Sequence, residues 1–493
     1  MPDNLPAPAA ATPAAAASPS APDSFDRKEL SAWSTSQRGR FEQLLKQFVE
    51  VPSVSADPAR KGDVARMAEL AAATLREFGF EARLIPTAGN PIVHGKLVVD
   101  PKAPTVTVYN HLDVQPGGEP SEWKSDPFVF AQVDGPAGAG SRYLGRGTTD
   151  DKGPALTALF GARAALDRGA RVNVQFLWEL EEEIGSPSFA AAVKKEARAL
   201  KTDCVVVSDT IWISRERPAC PAGLRGLQGF LLRLETGATD QHSGVTGGAA
   251  RNPLAELMHV VTKCMNPESG EVKIPGFYDD VKKLSKDEKK NFKHSGFTVA
   301  KFKQDHAFKS LRSNDAMDVM KRVWAQPTFE VHGVVGGYTG PGIKTIVPPR
   351  GEVKCSMRLV PKQDPEKMMQ LVERFVRKLN PDVEVVREGS LAPYRGVTEG
   401  PWADLTRDAV AFGFGKKPVF VREGGSIGAV ITMEQTLRCP ITFLGLSLPE
   451  HGYHAPNENY DWGQASGGMA AFAEWFRAAG AARSAAKAAR SSR

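Results

Sequence analysis

The chain has 493 residues, 41% of them hydrophobic and 24% charged, which is ordinary for a globular protein with room for more than one domain. A formal net charge of +6 is small for this length, and no apolar run is long enough to span a bilayer, so neither nucleic acid nor membrane is expected as a partner. The five cysteines, Cys204, Cys220, Cys264, Cys355 and Cys439, are scattered without paired spacing and predict reduced thiols in a cytoplasmic protein.

Residues 1–28 open with "MPDNLPAPAAATPAAAASPSAPDSF", rich in Ala, Pro and Ser and lacking the basic start and bulky apolar core of a secretory signal. A disordered tail is expected there. "GDVARMAELAAATLREFGF" repeats apolar residues at helical spacing and stops near Gly79. "TVTVYN" reads as a buried strand. A helix through "ALTALFGARAALDRG" follows the glycine-rich "LGRGTTDDKGP", and "VNVQFLWE", "SPSFAAAVKKEARAL" and "DCVVVSD" continue as strand, helix and strand. This alternation predicts an α/β domain whose mostly parallel sheet carries helices on both faces.

The pattern changes near Gly223. "LQGFLLRLETG", "TFEVHGVVGG" and "GEVKCSMRLVP" read as longer antiparallel strands, with helices at "NPLAELMHVVTKCM" and "PEKMMQLVERFVRKLN". These predict an inserted α+β domain over residues 223–392. Its Lys-rich "DDVKKLSKDEKKNFKHSG" also contains acids and reads as a solvated helix or loop. The α/β pattern then resumes with "WADLTRDAVAFGFG", "KPVFV", "SIGAVITMEQTL" and "PITFLGL", so the first domain comprises residues 29–222 and 393–482. Residues 483–493 form a basic, alanine-rich tail, expected as a fraying helix.

In parallel sheets ligands gather at the carboxyl ends of strands, and that is where the polar residues fall. His111 and Asp113 follow "TVTVYN"; Asp150 and Asp151 precede a helix; Glu181, Glu182 and Glu183 follow "VNVQFLW"; Asp209 ends "DCVVVSD"; His451 and His454 lie in "LPEHGYHAPNENY". Singly, each has an ordinary explanation: a strand end, a helix cap, a solvated acidic face. Together, imidazoles and carboxylates on successive strand ends suit zinc- or manganese-like ions, and a shared carboxylate would make the site dinuclear. A glutamate triplet directly behind a buried strand is costly unless cations offset it.

In chain order, "YNHLDVQP", "GRGTTDDKGP", "EEEIGS", "VVVSDTIWISRERPACPAGLRG", "HSGVTGG", "REGGSIG" and "HGYHAPNE" resemble the signatures of dinuclear metallopeptidases of the aminoacylase and carboxypeptidase type, most closely the carnosine-dipeptidase branch. The resemblance implies two divalent metal ions, zinc first and manganese second, bridged by Asp150. His111 and Asp209 would complete one ion's ligands, and Glu183 and His454 the other's. Asp113 would hydrogen-bond His111 and fix its tautomer. Glu182 would be the general base for a hydroxide bridging the ions. The insertion would be a lid and dimerisation domain, with "IPGFYDDVKKLSKDEKK" resembling the longer lid segment of the dipeptidase branch. Within it, His242 would reach across a homodimer interface to stabilise the oxyanion, and Arg358 would grip the substrate's terminal carboxylate. Thr345 and Ser426 would assist; Glu423 is left without a role. The implied activity is hydrolysis of dipeptides or short peptides. Deacylation of N-acyl or N-carbamoyl amino acids with the same metals is the alternative, and a non-catalytic peptide-binding protein the remote one.

Overall fold

Helix α1 (Arg27–Val49) begins inside the span expected as a tail, because the Asp26 carboxylate accepts from the backbone N–H of Lys28 (2.6 Å) and Glu29 (3.2 Å) and caps it. Its apolar stripe of Leu30, Phe41, Leu44, Leu45 and Phe48 is buried, and that burial holds it to the domain. The computed structural model describes residues 24–491 apart from 137 and 138, so the expected tail lies outside the described residues up to position 23.

The first unit continues with α2 (Lys61–Glu77), β1 (Glu81–Ile85), β2 (Ile92–Leu97), β3 (Thr105–His111), β4 (Ala131–Asp134), β5 (Ser141–Leu144), α3 (Lys152–Asp167), β6 (Asn173–Glu179), α4 (Phe189–Glu196), β7 (Cys204–Val207) and β8 (Ala219–Leu224). A second unit follows: β9 (Gly226–Glu235), β10 (Gln241–His242), α5 (Ser243–Thr246), α6 (Pro253–Cys264), α7 (Lys286–Lys293), α8 (Val299–Asp305), α9 (Ala316–Trp324), β11 (Thr328–Val335), β12 (Ile346–Val347), β13 (Arg350–Leu359), α10 (Pro365–Leu379) and β14 (Glu384–Leu391). The chain then returns through β15 (Tyr394–Arg395), α11 (Pro401–Phe414), β16 (Val419–Glu423), α12 (Gly428–Leu437), β17 (Ile441–Phe443), β18 (Asn459–Asp461) and α13 (Trp462–Ser491).

The central sheet has the order β1-β2-β6-β3-β7-β17. β6, β3, β7 and β17 run parallel, while β1 and β2 add an antiparallel edge. The inner strands are apolar on both faces, as a doubly covered sheet requires. Val106, Val108 and Phe176 pack with Phe41, Leu159, Phe472 and Trp475 on one side. Tyr109, Leu177 and Val205 pack with Phe189 of α4 and Val430 of α12 on the other. Helices α3 and α13 touch closely at Gly161, where a Cβ would stand 2.4 Å from Phe472 Cβ and 2.9 Å from the Met469 carbonyl oxygen.

The second unit is built on a four-stranded antiparallel sheet, β11-β13-β9-β14. Burial alternates along most of β9, and the inward face joins α6 and α10 in a separate apolar cluster around Phe230, Leu232, Leu257, Met357, Met368 and Val372. The chain leaves the first unit at β8 and re-enters at β15, and these two segments pair with each other (Leu224 opposite Tyr394).

One strand departs from the expected pattern. "KPVFV" resumes the strand–helix alternation, yet β16 lies parallel to β8 in a three-stranded sheet β15-β8-β16, because β17 takes the place beside β7 in the central sheet. All five cysteines are free thiols. Among the described residues no helix is long and apolar enough to cross a membrane.

Candidate metal centre

Strand β3 ends on His111, which is buried and 1% exposed. Its Nδ1–H donates to the Asp113 carbonyl oxygen (3.0 Å), so Nε2 faces Asp150 Oδ1 at 3.0 Å and Asp209 Oδ2 at 3.8 Å. The Asp113 carboxylate stands on the same side of the ring, with Oδ1 3.6 Å from Nδ1 and within ion-pair reach. Its two oxygens also accept from the backbone N–H of Glu182 and Glu183 (3.1 Å each), and Ser55 Oγ donates to Oδ2 (2.6 Å). Asp113 therefore meets the imidazole through both its main chain and its carboxylate, and the carboxylate also pins the turn that carries the glutamates.

Asp150 lies at the end of a loop moulded around one buried carboxylate. Glu458 accepts from the backbone N–H of Gly147 (2.9 Å), Thr149 (2.9 Å) and Asp150 (3.1 Å), and pairs with Arg146 (3.0 Å). Buried Lys152 fastens the start of α3 by donating to the carbonyls of Phe48 (2.8 Å) and Val51 (2.9 Å).

The three glutamates have distinct surroundings. Glu181 is structural, as its oxygens accept from the backbone N–H of Asn90 (2.7 Å) and Ser188 (3.0 Å). Glu183 Oε2 accepts from Gln115 Nε2 (2.7 Å) and stands 3.2 Å from His454 Nε2. The carboxylate of Glu182 accepts no hydrogen bond among the described residues. His454 has φ of +56°, a conformation that a non-glycine residue rarely adopts, and its side chain is more than half exposed. Its neighbour His451 is spent on structure, with Nε2–H donating to Asp461 (2.9 Å) and Nδ1 accepting from Leu448 N–H (3.2 Å).

One donor atom from each of His111, Asp150 and Asp209 lies within 4.8 Å of the others, and the same holds for Asp150, Glu183 and His454. Asp150 belongs to both groups. Its Oδ2 is buried and has no hydrogen-bond partner, although His454 Nε2 stands 3.1 Å away outside bonding geometry. Asp151 Oδ1 and Glu423 Oε2 are likewise buried and unpartnered. Oxygen and imidazole donors with idle lone pairs, split into two groups sharing one carboxylate, fit a pair of divalent cations.

The charges say the same. Burial, reinforced by Asp150 and Glu183, pushes Asp209 up to about 7. Burial, with Asp209 nearby, drives Asp151 and Glu182 well above the usual carboxylate range, and pushes Glu423 up to about 8. Burial acts on Asp150 as well, but the imidazoles of His111 and His454 hold it below its ordinary value. Asp150 and Glu183 in turn raise His454 to about 10. Burial lowers His111, but the carboxylates of Asp113, Asp150 and Asp209 raise it well above its ordinary value. Near neutral pH the cluster therefore holds protons that cations must displace: His111 and His454 each have to shed one, and Asp209 has to lose its own below about 7. Metal binding at pH 6.5 is expected to release about three protons per chain, and apparent affinity to fall steadily as pH is lowered from about 10. Calorimetry in buffers of different ionisation enthalpy checks this; release of none would contradict the ligand assignment.

The remaining expected site residues form two further patches. Arg358 Nη1 donates to Ser426 Oγ (3.0 Å), and Ser426 Oγ donates to the carbonyl of Arg225. Arg358 has no acidic partner among the described residues. His242 and Thr345 are exposed at the β10–β12 ladder, where Ser243 N–H donates to the Thr345 carbonyl (3.0 Å), and neither belongs to a ligand group. Sequence reasoning passed over Glu458, Tyr453 (its OH donates to Asp209 Oδ1, 3.2 Å) and Arg225. Glu458 and Tyr453 both stand inside the quoted "HGYHAPNE", the only signal that marked them.

Comparison with known proteins agrees with this geometry. The model of Peptidase family M20/M25/M40 matches residues 107–478. The chain is 31% identical over 450 residues to Cys-Gly metallodipeptidase dug1 of Schizosaccharomyces pombe, covering 86% of this chain and 92% of that protein. It is 29% identical over 463 residues to the Beta-Ala-His dipeptidase of Homo sapiens, covering 88% and 89%. The solved structure of the M20 family metallo-carboxypeptidase Sso-CP2 from Sulfolobus solfataricus superposes with a TM-score of 0.81 at 30% identity, over 89% of this chain and 98% of that one. Since the family match takes in all five clustered ligands and the fold is shared over nearly its whole length, the chain belongs to peptidase family M20/M25/M40.

Proposed function

We propose that the protein hydrolyses dipeptides using two divalent ions, zinc or manganese, held by His111, Asp150, Asp209, Glu183 and His454. The observation that carries this reading is the shared Asp150, a buried carboxylate common to two three-residue ligand groups. Ions bound there supply Lewis acidity toward a carbonyl oxygen and make water a stronger acid.

The chain's own residues do the rest. The Glu182 carboxylate accepts no hydrogen bond among the described residues, and its main chain is fixed through the Asp113 carboxylate. It takes a proton from the attacking water and delivers it to the amine nitrogen as the C–N bond breaks. Arg358, without an acidic partner, holds the substrate's terminal carboxylate with the Ser426 hydroxyl beside it. Glu423 lines a cavity beside Tyr453, the neighbour of Asp209, with one buried oxygen unpartnered, which calls for a cation. A dipeptide brings one in its amino terminus; an N-acyl amino acid does not. Metal-loaded protein is therefore expected to turn over dipeptides, a β-alanyl one included in the panel, with kcat/KM at least about 100-fold above N-acetyl amino acids. Equal or faster turnover of the acyl compounds would overturn the dipeptidase reading.

The second unit serves as lid and dimer contact in this reading. Exposed apolar side chains flank His242 and Thr345 along the chain, Val245 at 82% and Ile343 at 94% accessible, and the edge strand β11 of the same unit adds an apolar patch at Val334 and Val335, 51% each. Such a patch suits a second copy of the chain, which would bring His242 to its partner's substrate. Ile343→Asp combined with Val334→Asp is expected to yield monomers by light scattering that keep their metal and lose activity. Fully active monomers would remove His242 from the site. Free thiols throughout fit a reducing cytoplasm.

A further inference from the structure

A cavity of about 540 Å³ opens beside the metal centre, between the α8–α9 segment of the second unit and the loops that follow β7, β16 and β17. That volume falls in the roughly 300–1,000 Å³ range of small-molecule sites. Its inner wall includes Tyr453, which touches Asp209, and Glu423, whose buried oxygen is unpartnered. Its outer wall is aromatic. Phe297, Phe302 and Trp324 are each only half-buried, with Phe297 edge-on to Trp324 at 5.7 Å and 5.3 Å from Phe302. Trp212, nearly inaccessible, closes the inner end.

We propose that this cavity receives the side chain of the substrate's amino-terminal residue and selects large apolar or aromatic ones. The inference rests on the dipeptidase reading. With the carboxylate end at Arg358 and the amine end at Glu423, the carbon bearing the amine carries its side chain past Glu423 and Tyr453 into the cavity. Partly exposed rings facing an enclosed space gain by being covered. Of the polar groups in the wall, Arg422 is matched with Glu288 of α7, Lys301 with Asp305 at 2.7 Å, and Glu423 is reserved for the substrate's amine. The His306 ring packs against Phe302 and Phe308, so the wall favours an apolar side chain. The Arg422–Glu288 pair also ties α7 to β16, which holds the aromatic wall in register with the metal centre.

The test measures kcat/KM of the metal-loaded full chain on Phe-Gly, Leu-Gly, Gly-Gly and Glu-Gly. Phe-Gly and Leu-Gly are expected to exceed Gly-Gly by about 100-fold, with Glu-Gly no better than Gly-Gly. Trp324→Ala, and independently Phe302→Ala should the first variant fold poorly, are expected to shrink the Phe-to-Gly ratio by about tenfold or more. A second readout needs no turnover: calorimetric titration with phenethylamine should show binding that weakens in either variant, and methylamine should show none. If Gly-Gly is cleaved as well as Phe-Gly and phenethylamine does not bind, the cavity assignment is overturned while the dipeptidase reading stands. If no dipeptide is cleaved but phenethylamine binding depends on Trp324 or Phe302, the hydrolase reading is overturned and the cavity keeps its ligand class.

Discussion

Glu182→Ala is expected to lower kcat by about a hundred- to ten-thousand-fold while the purified protein keeps its metal. The neighbouring glutamates make the test sharp. Glu181 has both oxygens on backbone amides, and Glu183 faces His454 in a ligand group, so losing either would disturb the loop or the metal content. Glu182 alone has an uncommitted carboxylate, and the backbone amide that positions it bonds to Asp113 whatever its side chain. Atomic absorption on the same sample as the kinetics separates a missing base from a missing ligand. Activity within tenfold of the parent would place the base elsewhere.

Asp150→Ala is expected to be as damaging to activity, with the opposite signature in metal content. The aspartate belongs to both ligand groups, so its loss weakens both at once, whereas loss of Asp209 or His454 removes a donor from only one. Metal content should fall toward zero in the first case and stay near one ion per chain in the others. The variant should still fold, because the loop is held by Glu458 on the Gly147, Thr149 and Asp150 amides, a contact indifferent to the side chain at 150. Its melting temperature should consequently lose the rise that added metal gives the parent, since a ligand stabilises only the state that binds it. Two ions retained by Asp150→Ala would refute the shared-carboxylate arrangement.

Much of the site was legible because its donors sit where strand periodicity ends. His111, Asp209 and the glutamates each follow an apolar run that could only be a buried strand, and the types of side chain there announce cations. Glu458 was hidden because an acid in a loop has no period to mark it, and its partners are amides three hundred residues earlier in the chain. Part of the role of Asp113 was hidden for a similar reason: a carbonyl oxygen occurs at every residue, so composition could not reveal that the main chain as well as the carboxylate meets His111. The strand "KPVFV" was visible as a strand, but its partner was not, because β8 stands on the far side of the insertion and apolar pattern does not encode neighbours. The aromatic cavity escaped for want of proximity, since Trp212, Phe302 and Trp324 meet only after folding.

The grip of Glu458 on three consecutive-turn amides reaches further than geometry. Because one anion already satisfies those donors, the loop needs no metal to take its shape, and the apoprotein should wait in a receptive form instead of unravelling. Chelation would then switch such an enzyme off without destroying it, and returning zinc or manganese would recharge it without refolding.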